Sequence, residues 1–406
     1  MTDNYSFLFF NSKIHSIQLG RDLTKHIKRG HRWVFASSFD PKINFKSGLY
    51  FLKYKEEILG LGILQSETQL RFRIICFSDD WFFNKNNPEK TLQIAMETQW
   101  KKALGLRALF NLDETNSFRL INGEGDGFPG MVIDIYGDTA VIKYDQPLLE
   151  QIWEKMAISR RILADLSQIK NVYFKRRNSS ENKGEILFGQ LEPETIFKEN
   201  KLIFSANIKE GSKTGFFLDQ RDNRQHIKTF AKNKSVLNLF SYTGGFSLSA
   251  ASGEAKNVTS VDIAPAAIAA IDKNFSLNPF KTITQNIAMD AFVYVEEQIK
   301  AKAKFDMVIT DPPSFAPNEA SVPQAISAYT KIFSDSLKLV SPNGFFAASS
   351  CSSHITLANF LEILREAFSK NRKRGTLILQ GGQPFDHPYP LAMEELKYLK
   401  FALFQI

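Results

Sequence analysis

From about residue 200 the chain alternates short apolar runs with stretches of helical length, and this rhythm limits the fold more than any other feature. The runs are SVLNLF (235–240), NVTSVDI (257–263), TITQNI (282–287), FDMVITD (305–311), GFFAASSC (344–351), TLILQG (376–381) and YLKFALFQI (398–406). The first several are nearly uninterrupted, as expected for strands covered on both faces by helices. The pattern predicts an α/β chain with an open, doubly wound, Rossmann-like sheet at the C-terminus. In such sheets ligands sit at the carboxyl ends of the strands, so the residues to read are those at the strand tips.

The preceding part has a different texture. Residues 1–80 alternate apolar runs with turn signals: SIQLG, RWVFASS, GLYFLKY, EILGLGILQS and LRFRIICF. They read as the strands of a small β-barrel, and RDLTKHIKRGHRW (21–33) reads as a helix and loop on its rim. LQIAMETQWKKALGLRALF then carries helical spacing, followed by strands FRLING and GMVIDIYGDTAVIKYD, a helix LLEQIWEKMAISRRILADL, and strands VYFKRR and EILFGQ. The expected domains are therefore 1–80, a barrel; 81–195, a central α+β domain; and 196–406, the doubly wound domain.

Charge and cysteine usage restrict the function. The net charge is +8, and residues 1–80 hold 12 Lys/Arg against 8 Asp/Glu. A basic balance of this kind suits a polyanion such as nucleic acid, and Lys25, Lys28, Arg29 and Arg32 cluster in the rim segment. Cys76 and Cys351 lie far apart without metal-ligand spacing, so neither a disulfide framework nor a metal site is expected. The apolar run near the N-terminus, FLFF, is four residues long, with an early Asp3, too short for a secretory leader. No segment has the length of a membrane span. The expectation is a cytoplasmic protein.

GDGFPG (125–130) fits the G-x-G-x-x-G pattern of dinucleotide sites, but Pro129 and a strand-like run follow where a helix must open. It reads as a turn between strands. NLFSYTGGFSLSAA (238–251) is the stronger candidate. A strand ends in Asn238-Leu239-Phe240, and a loop of small residues with paired glycines, Gly244 and Gly245, leads into a helix. Backbone can approach a ligand closely there. The next strand ends in Asp262, placed to accept hydrogen bonds from two ribose hydroxyls. Without a phosphate fingerprint, a nucleoside with a short charged tail, such as S-adenosylmethionine, fits better than a dinucleotide; an ordinary strand–turn–helix is the plain alternative. Asp290, at the tip of the third strand, could meet an adenine amino group or simply cap a helix.

The fourth run ends in Asp311-Pro312-Pro313-Ser314, a rigid edge able to hold a carboxylate beside a flat base. The fifth ends in Ser349-Ser350-Cys351-Ser352-Ser353-His354. Neighbouring strands would turn Asp311 and Cys351 into one cleft. A free cysteine is usually a small buried hydrophobe, which suits Cys76 in RIICF, but Cys351 stands at a polar strand tip. His354 could assist it or face solvent.

Taken in order, RLINGEGDGFPGMVIDIYGD, KTGFFLDQRDNR, VLNLFSYTGGFSL, VITDPPSF and SSCSSH resemble the bacterial PUA-domain class I methyltransferases of the large-subunit rRNA 5-methylcytosine type. KHIKRGHRWVFASSF and GLGILQSETQLRFRI resemble that family's PUA barrel, and DHPYP with EELKYLK its closing segment. The likeness spans nearly the whole chain. It implies an RNA methyltransferase that uses S-adenosylmethionine, with large-subunit rRNA as partner; a homodimer is compatible with it. Carried over residue by residue, Asp262 with Ile263 would hold the ribose side and Asp290 with Ala291 the adenine. Asn238, Phe240, Thr243 and Gly244 would shape the methionine side, Asp311 would border the cofactor, and Phe217, Asp219 and Arg221 would close over the cofactor or the substrate.

The implied chemistry makes Cys351 the nucleophile at cytosine C6, with Asp311, its pKa raised by burial, at N3. Two-cysteine RNA methyltransferases place a second cysteine after Asp-Pro; here Pro313 and Ser314 stand there. Three other classes compete: amino methylation of a purine at the Asp-Pro-Pro tip, a nicotinamide dehydrogenase, and a non-catalytic RNA-binding assembly factor.

Overall fold

The computed structural model describes residues 6–9, 14–43, 45–176, 184–211 and 213–406. Asp3 and Arg177, used in the sequence reading, lie outside them. The chain divides into two compact units. The first comprises 1–197, 207–215 and 385–394, and the second 198–206, 216–384 and 395–406.

In the first unit, β1 (His15–Gln18), α1 (Thr24–Lys28), β2 (Trp33–Phe35), β3 (Gly48–Tyr54), β4 (Glu57–Leu64) and β5 (Leu70–Phe77) come first. The strands form one sheet in the order β1-β3-β4-β5-β2. The barrel expected from the sequence is an open sheet among the described residues: the end strands are only four and three residues long, too short to join the edges. Then follow α2 (Pro88–Arg107), β6 (Ser117–Asn122), β7 (Met131–Tyr136), β8 (Thr139–Tyr144), α3 (Lys155–Asp165), β9 (Asn171–Lys175) and β10 (Gly184–Phe188). Their strands make a second sheet, β10-β9-β8-β7-β6.

GMVIDIYGDTAVIKYD, read above as one strand, is the hairpin β7–β8, because Gly137 takes a positive φ of 61° that turns the chain. The helix read over 148–166 is broken at Glu154, whose carboxylate caps the start of α3 by accepting the Met156 and Ala157 N–H groups. One core runs from Leu61, Ile63 and Cys76 of the first sheet through Trp100 of α2 to Phe118, Ile133 and Phe174 of the second. Residues 1–80 and 81–195 therefore share their interior. Burial pushes the Cys76 thiol up to about 12, which suits a core side chain.

β11 (Thr195–Glu199) and β12 (Leu202–Ala206) form a two-stranded sheet that the sequence reading passed over. The second unit continues with α4 (Arg221–Phe230), β13 (Ser235–Leu239), α5 (Gly245–Ser252), β14 (Asn257–Asp262), α6 (Pro265–Ser276), β15 (Ile283–Ala288), α7 (Ala291–Lys300), β16 (Phe305–Thr310), α8 (Val322–Lys338), β17 (Val340–Ser350), α9 (Leu357–Lys370), β18 (Thr376–Gly381) and β19 (Lys400–Gln405). The seven strands order as β15-β14-β13-β16-β17-β19-β18. β13 to β17 are parallel to their neighbours, whereas β19 runs antiparallel between β17 and β18. The doubly wound expectation holds for this unit. The central strands β13 and β16 are buried. β15 and β18, at the two edges, are largely exposed, which accounts for the polar character of TITQNI. Apolar layers flank the sheet: Tyr329, Phe333, Phe346 and Phe360 on one side, Ile227, Phe246 and Phe401 on the other.

Candidate active site

The site is built at the carboxyl ends of β13, β14, β16 and β17. After β13 the backbone turns through positive φ at Phe240 (57°), Tyr242 (45°) and Gly244 (84°). Two of these are bulky residues in a region that costs such residues about 1 kcal/mol or more, a strain that collects at functional loops. Gly244 caps α5 in the left-handed conformation, and a Cβ there would lie 3.1 Å from Ile271. The loop is fixed by Asp262 at the tip of β14: Oδ2 accepts the Tyr242 N–H at 2.8 Å and Oδ1 the Ala264 N–H at 3.0 Å. Each oxygen keeps a further lone pair, and the residue is only partly buried. Beside it Ile263 is 68% exposed, an apolar face next to the acid.

Three buried polar atoms around this loop have no hydrogen-bond partner among the described residues: Asn238 Oδ1, Ser241 Oγ and Thr243 Oγ1. Asn238 is held by its amide, which donates to Ser247 Oγ at 2.8 Å, so its carbonyl oxygen is oriented but unused. Orphaned buried groups of this kind call for a ligand or water to satisfy them. Donors and acceptors at a strand tip, an acid at the next tip and an exposed aliphatic beside it fit S-adenosylmethionine. Asp262 and Ile263 suit the ribose, and Asn238, Ser241 and Thr243 suit the polar tail. At the third strand Asp290 caps α7 through one oxygen, Oδ1, which accepts the Phe292 and Val293 N–H groups at 2.8 and 3.2 Å. Its Oδ2 points to neither, so capping and ligand binding are compatible. Ala291 is buried in the first turn of that helix.

Residues 216–221 of the KTGFFLDQR segment belong to the same unit. The Phe217 ring meets Tyr242 edge-on at 5.0 Å. Asp219, buried in a 3-10 turn, accepts the Tyr398 hydroxyl at 2.7 Å. Arg221 is buried at the start of α4. This turn is anchored by Arg224, whose guanidinium pairs with Glu199 through two 2.6 Å bonds, both partners being buried.

Asp311 and Cys351 end adjacent strands, as expected. β16 pairs β17 in parallel with Thr310 opposite Ala348. The connecting residue is one that sequence reasoning missed. Gln220 Nε2 donates to Asp311 Oδ1 at 3.0 Å and to Ser349 Oγ at 2.9 Å, while its Oε1 accepts the Asn223 amide at 2.6 Å. Gln220 lay between Asp219 and Arg221 in the quoted motif, and an amide inside an otherwise charged run was the available signal. Asp311 is partly buried rather than fully enclosed. Ser352, next to Cys351, shares hydrogen bonds with the Tyr329 hydroxyl (2.8 Å) and Ser314 Oγ (2.9 Å), which ties this tip to α8 and to the Pro-Pro edge. His354 is exposed.

In the first unit Lys25, Lys28 and Arg29 are exposed on or beside α1. Lys28 pairs with Glu57 at 2.6 Å. Arg32 is engaged differently: its guanidinium donates to the Ile74 and Ile75 carbonyls at 3.0 and 2.8 Å and stacks over Phe77. Among the described residues no cluster of His, Cys, Asp and Glu could hold a metal ion, and no helix is long and apolar enough to cross a membrane.

The sequence profile of the S-adenosylmethionine-dependent methyltransferase family matches residues 145–373. A ribosomal RNA large subunit methyltransferase of Deinococcus radiodurans is 32% identical over 396 residues, covering 94% of this chain and 95% of that protein. Ribosomal RNA large subunit methyltransferase I of Alteromonas mediterranea is 31% identical over 391 residues, covering 95% of this chain and 96% of that protein. Among solved structures, a SAM-dependent methyltransferase from Streptococcus mutans matches with a TM-score of 0.81 at 26% identity, over 97% of this chain and 100% of that one. A methyltransferase crystallised in complex with SAH matches with a TM-score of 0.83 at 27% identity and the same coverage.

Proposed function

Because the chain belongs to the S-adenosylmethionine-dependent methyltransferase family, we propose that it methylates C5 of a cytosine in large-subunit ribosomal RNA through a covalent Cys351–C6 adduct. The bound cofactor supplies an electrophilic methyl group. Cytosine C5 is too weak a nucleophile to take it unaided. The Cys351 thiolate adds to C6, and the electron pair of the C5–C6 double bond becomes available at C5. Asp311, facing N3, shares a proton with the base and stabilises the charge that develops. C5 takes the methyl group, a base removes the C5 proton, the double bond re-forms, and Cys351 leaves as thiolate.

The observation that carries this reading is the divided amide of Gln220, which joins Asp311 to Ser349 and so ties together the two strand tips that bear the acid and the thiol. Amino methylation at an Asp-Pro-Pro tip has no use for a thiol beside it. Residues 1–80 provide a PUA-like RNA-binding surface, with Lys25 and Arg29 exposed on its rim. Residues 81–195 form a central domain sharing its core, and 196–406 carry the chemistry in a cytoplasmic enzyme.

The test uses large-subunit rRNA fragments bearing 5-fluorocytidine. Fluorine at C5 cannot leave as a proton, so the enzyme is expected to remain cross-linked through Cys351 after methyl transfer. Mass spectrometry of rRNA from cells with and without the gene identifies the product. A methylated exocyclic amine on a purine, or an adduct mapping away from Cys351, overturns the proposal.

A further inference from the structure

The fold gives Cys351 a cation that the sequence reading did not find. Lys400 opens β19 and pairs across the ladder with Ser350, the residue before the cysteine. Its Nζ donates to the carbonyl of Ser352, the residue after the cysteine, at 2.6 Å, and to the Tyr398 carbonyl at 2.7 Å. Lys400 therefore brackets Cys351 from both sides. The side chain is buried, with the residue 3% exposed. Among the described residues no carboxylate pairs with it; its hydrogen-bond partners are two neutral carbonyls.

A buried ammonium without a counter-charge is costly: burial favours its neutral form, and an anion forming beside it favours the charged one. The group next to Lys400 that can become an anion is the Cys351 thiol, and the two interact electrostatically. We infer that Lys400 is the positioning residue of this site: its ammonium clamps the strand tip that carries Cys351 and acts as the counter-ion of the thiolate. The inference rests on the proposed role of Cys351 only for its catalytic meaning; the placement of Lys400 against both neighbours of Cys351 stands on its own geometry.

Burial lowers Lys400 to about 8, and the Cys351 charge acts in the opposite direction. The other titratable groups around the tip are Tyr329 on α8, Asp311 at the end of β16 and His354 beyond the cysteine. Burial raises Tyr329, which stays neutral, and His354 is exposed.

The experiment is alkylation of Cys351 by iodoacetamide across pH 6–10 on the full-length protein without RNA, read by peptide mass spectrometry. Cys76 is buried with its thiol pushed up to about 12, so it does not compete. The wild-type Cys351 rate is expected to titrate below the ordinary thiol value of about 8.5. In Lys400→Met the titration should move up by about one pH unit, with a roughly tenfold slower reaction at pH 7. Lys400→Arg, which keeps the charge, should recover most of the rate. A Cys351 titration unchanged in folded Lys400→Met overturns the proposal. So does a wild-type value at or above 8.5, which needs no variant. Loss of methylation in Cys351→Ser is scored separately, so a lysine–thiol pair beside a dispensable cysteine would sink the proposed reaction and leave this pairing intact.

Discussion

Asp262 holds Tyr242: the carboxylate at the tip of β14 accepts the backbone N–H of the strained loop residue at 2.8 Å. One side chain thus sets the loop after β13, and in the proposed site its remaining lone pairs are available to a ribose. Asp262→Ala is expected to weaken S-adenosylmethionine binding by about 1–3 kcal/mol, roughly 5- to 150-fold in Kd. Calorimetry on the folded variant checks this; an unchanged Kd would move the cofactor elsewhere.

Gln220→Leu keeps approximate volume and removes the donor shared by Asp311 and Ser349. A misplaced acid at the reacting base costs on the order of 100-fold. The expected result is a fall in kcat of roughly 10- to 100-fold with cofactor affinity nearly unchanged, since the cofactor loop has separate anchors. Equal loss of both in titration and turnover assays would mean that Gln220 supports the whole unit instead.

Cys351→Ser should abolish methylation while the melting curve and cofactor binding persist. A hydroxyl is nearly the size of a thiol but far less acidic. Turnover near the wild-type rate would eliminate the thiolate mechanism.

Deleting residues 1–78 is not a clean way to test RNA binding, because Leu61, Ile63 and Cys76 belong to the same core as Trp100 and Phe118. Charge reversal is cleaner. Lys25→Glu with Arg29→Glu, both on exposed positions, should weaken RNA binding and reduce the slope of log K against log salt by about 1.4–1.8, two phosphate contacts' worth. Arg32→Glu should instead unfold the sheet edge, since Arg32 serves the Ile74 and Ile75 carbonyls. A double variant with the wild-type salt slope would place the RNA on another surface.

What could be read from sequence was what local pattern encodes. Continuous apolar runs gave the central strands, and acids at their ends gave Asp262, Asp290 and Asp311. Two things were hidden for physical reasons. The antiparallel insertion of β19 between β17 and β18 is a long-range pairing, and a run such as YLKFALFQI says nothing of its neighbours. Gln220 acts through two strands about 90 and 130 residues away, a relation without sequence spacing. Lys400 left a detectable trace: a lysine within an apolar strand is seldom buried without a task. The barrel was over-read because alternation reports strands, whereas closure depends on how long the edge strands are.

The threading of the chain between its two units bears on how the protein is made. The first unit takes residues 385–394 as part of itself, and the sheet of the second gains β19 only at 400–405. Neither can reach its final form while emerging from a ribosome in order. At roughly 5–20 residues per second, the stretch from 197 to 394 takes on the order of 10–40 s to synthesise. For that interval Trp100 and its surroundings wait for the segment in which Asp386 will accept the Arg119 N–H and turn its carbonyl toward Arg107. Each unit is therefore completed only once residues far along the chain from its first strands have been made.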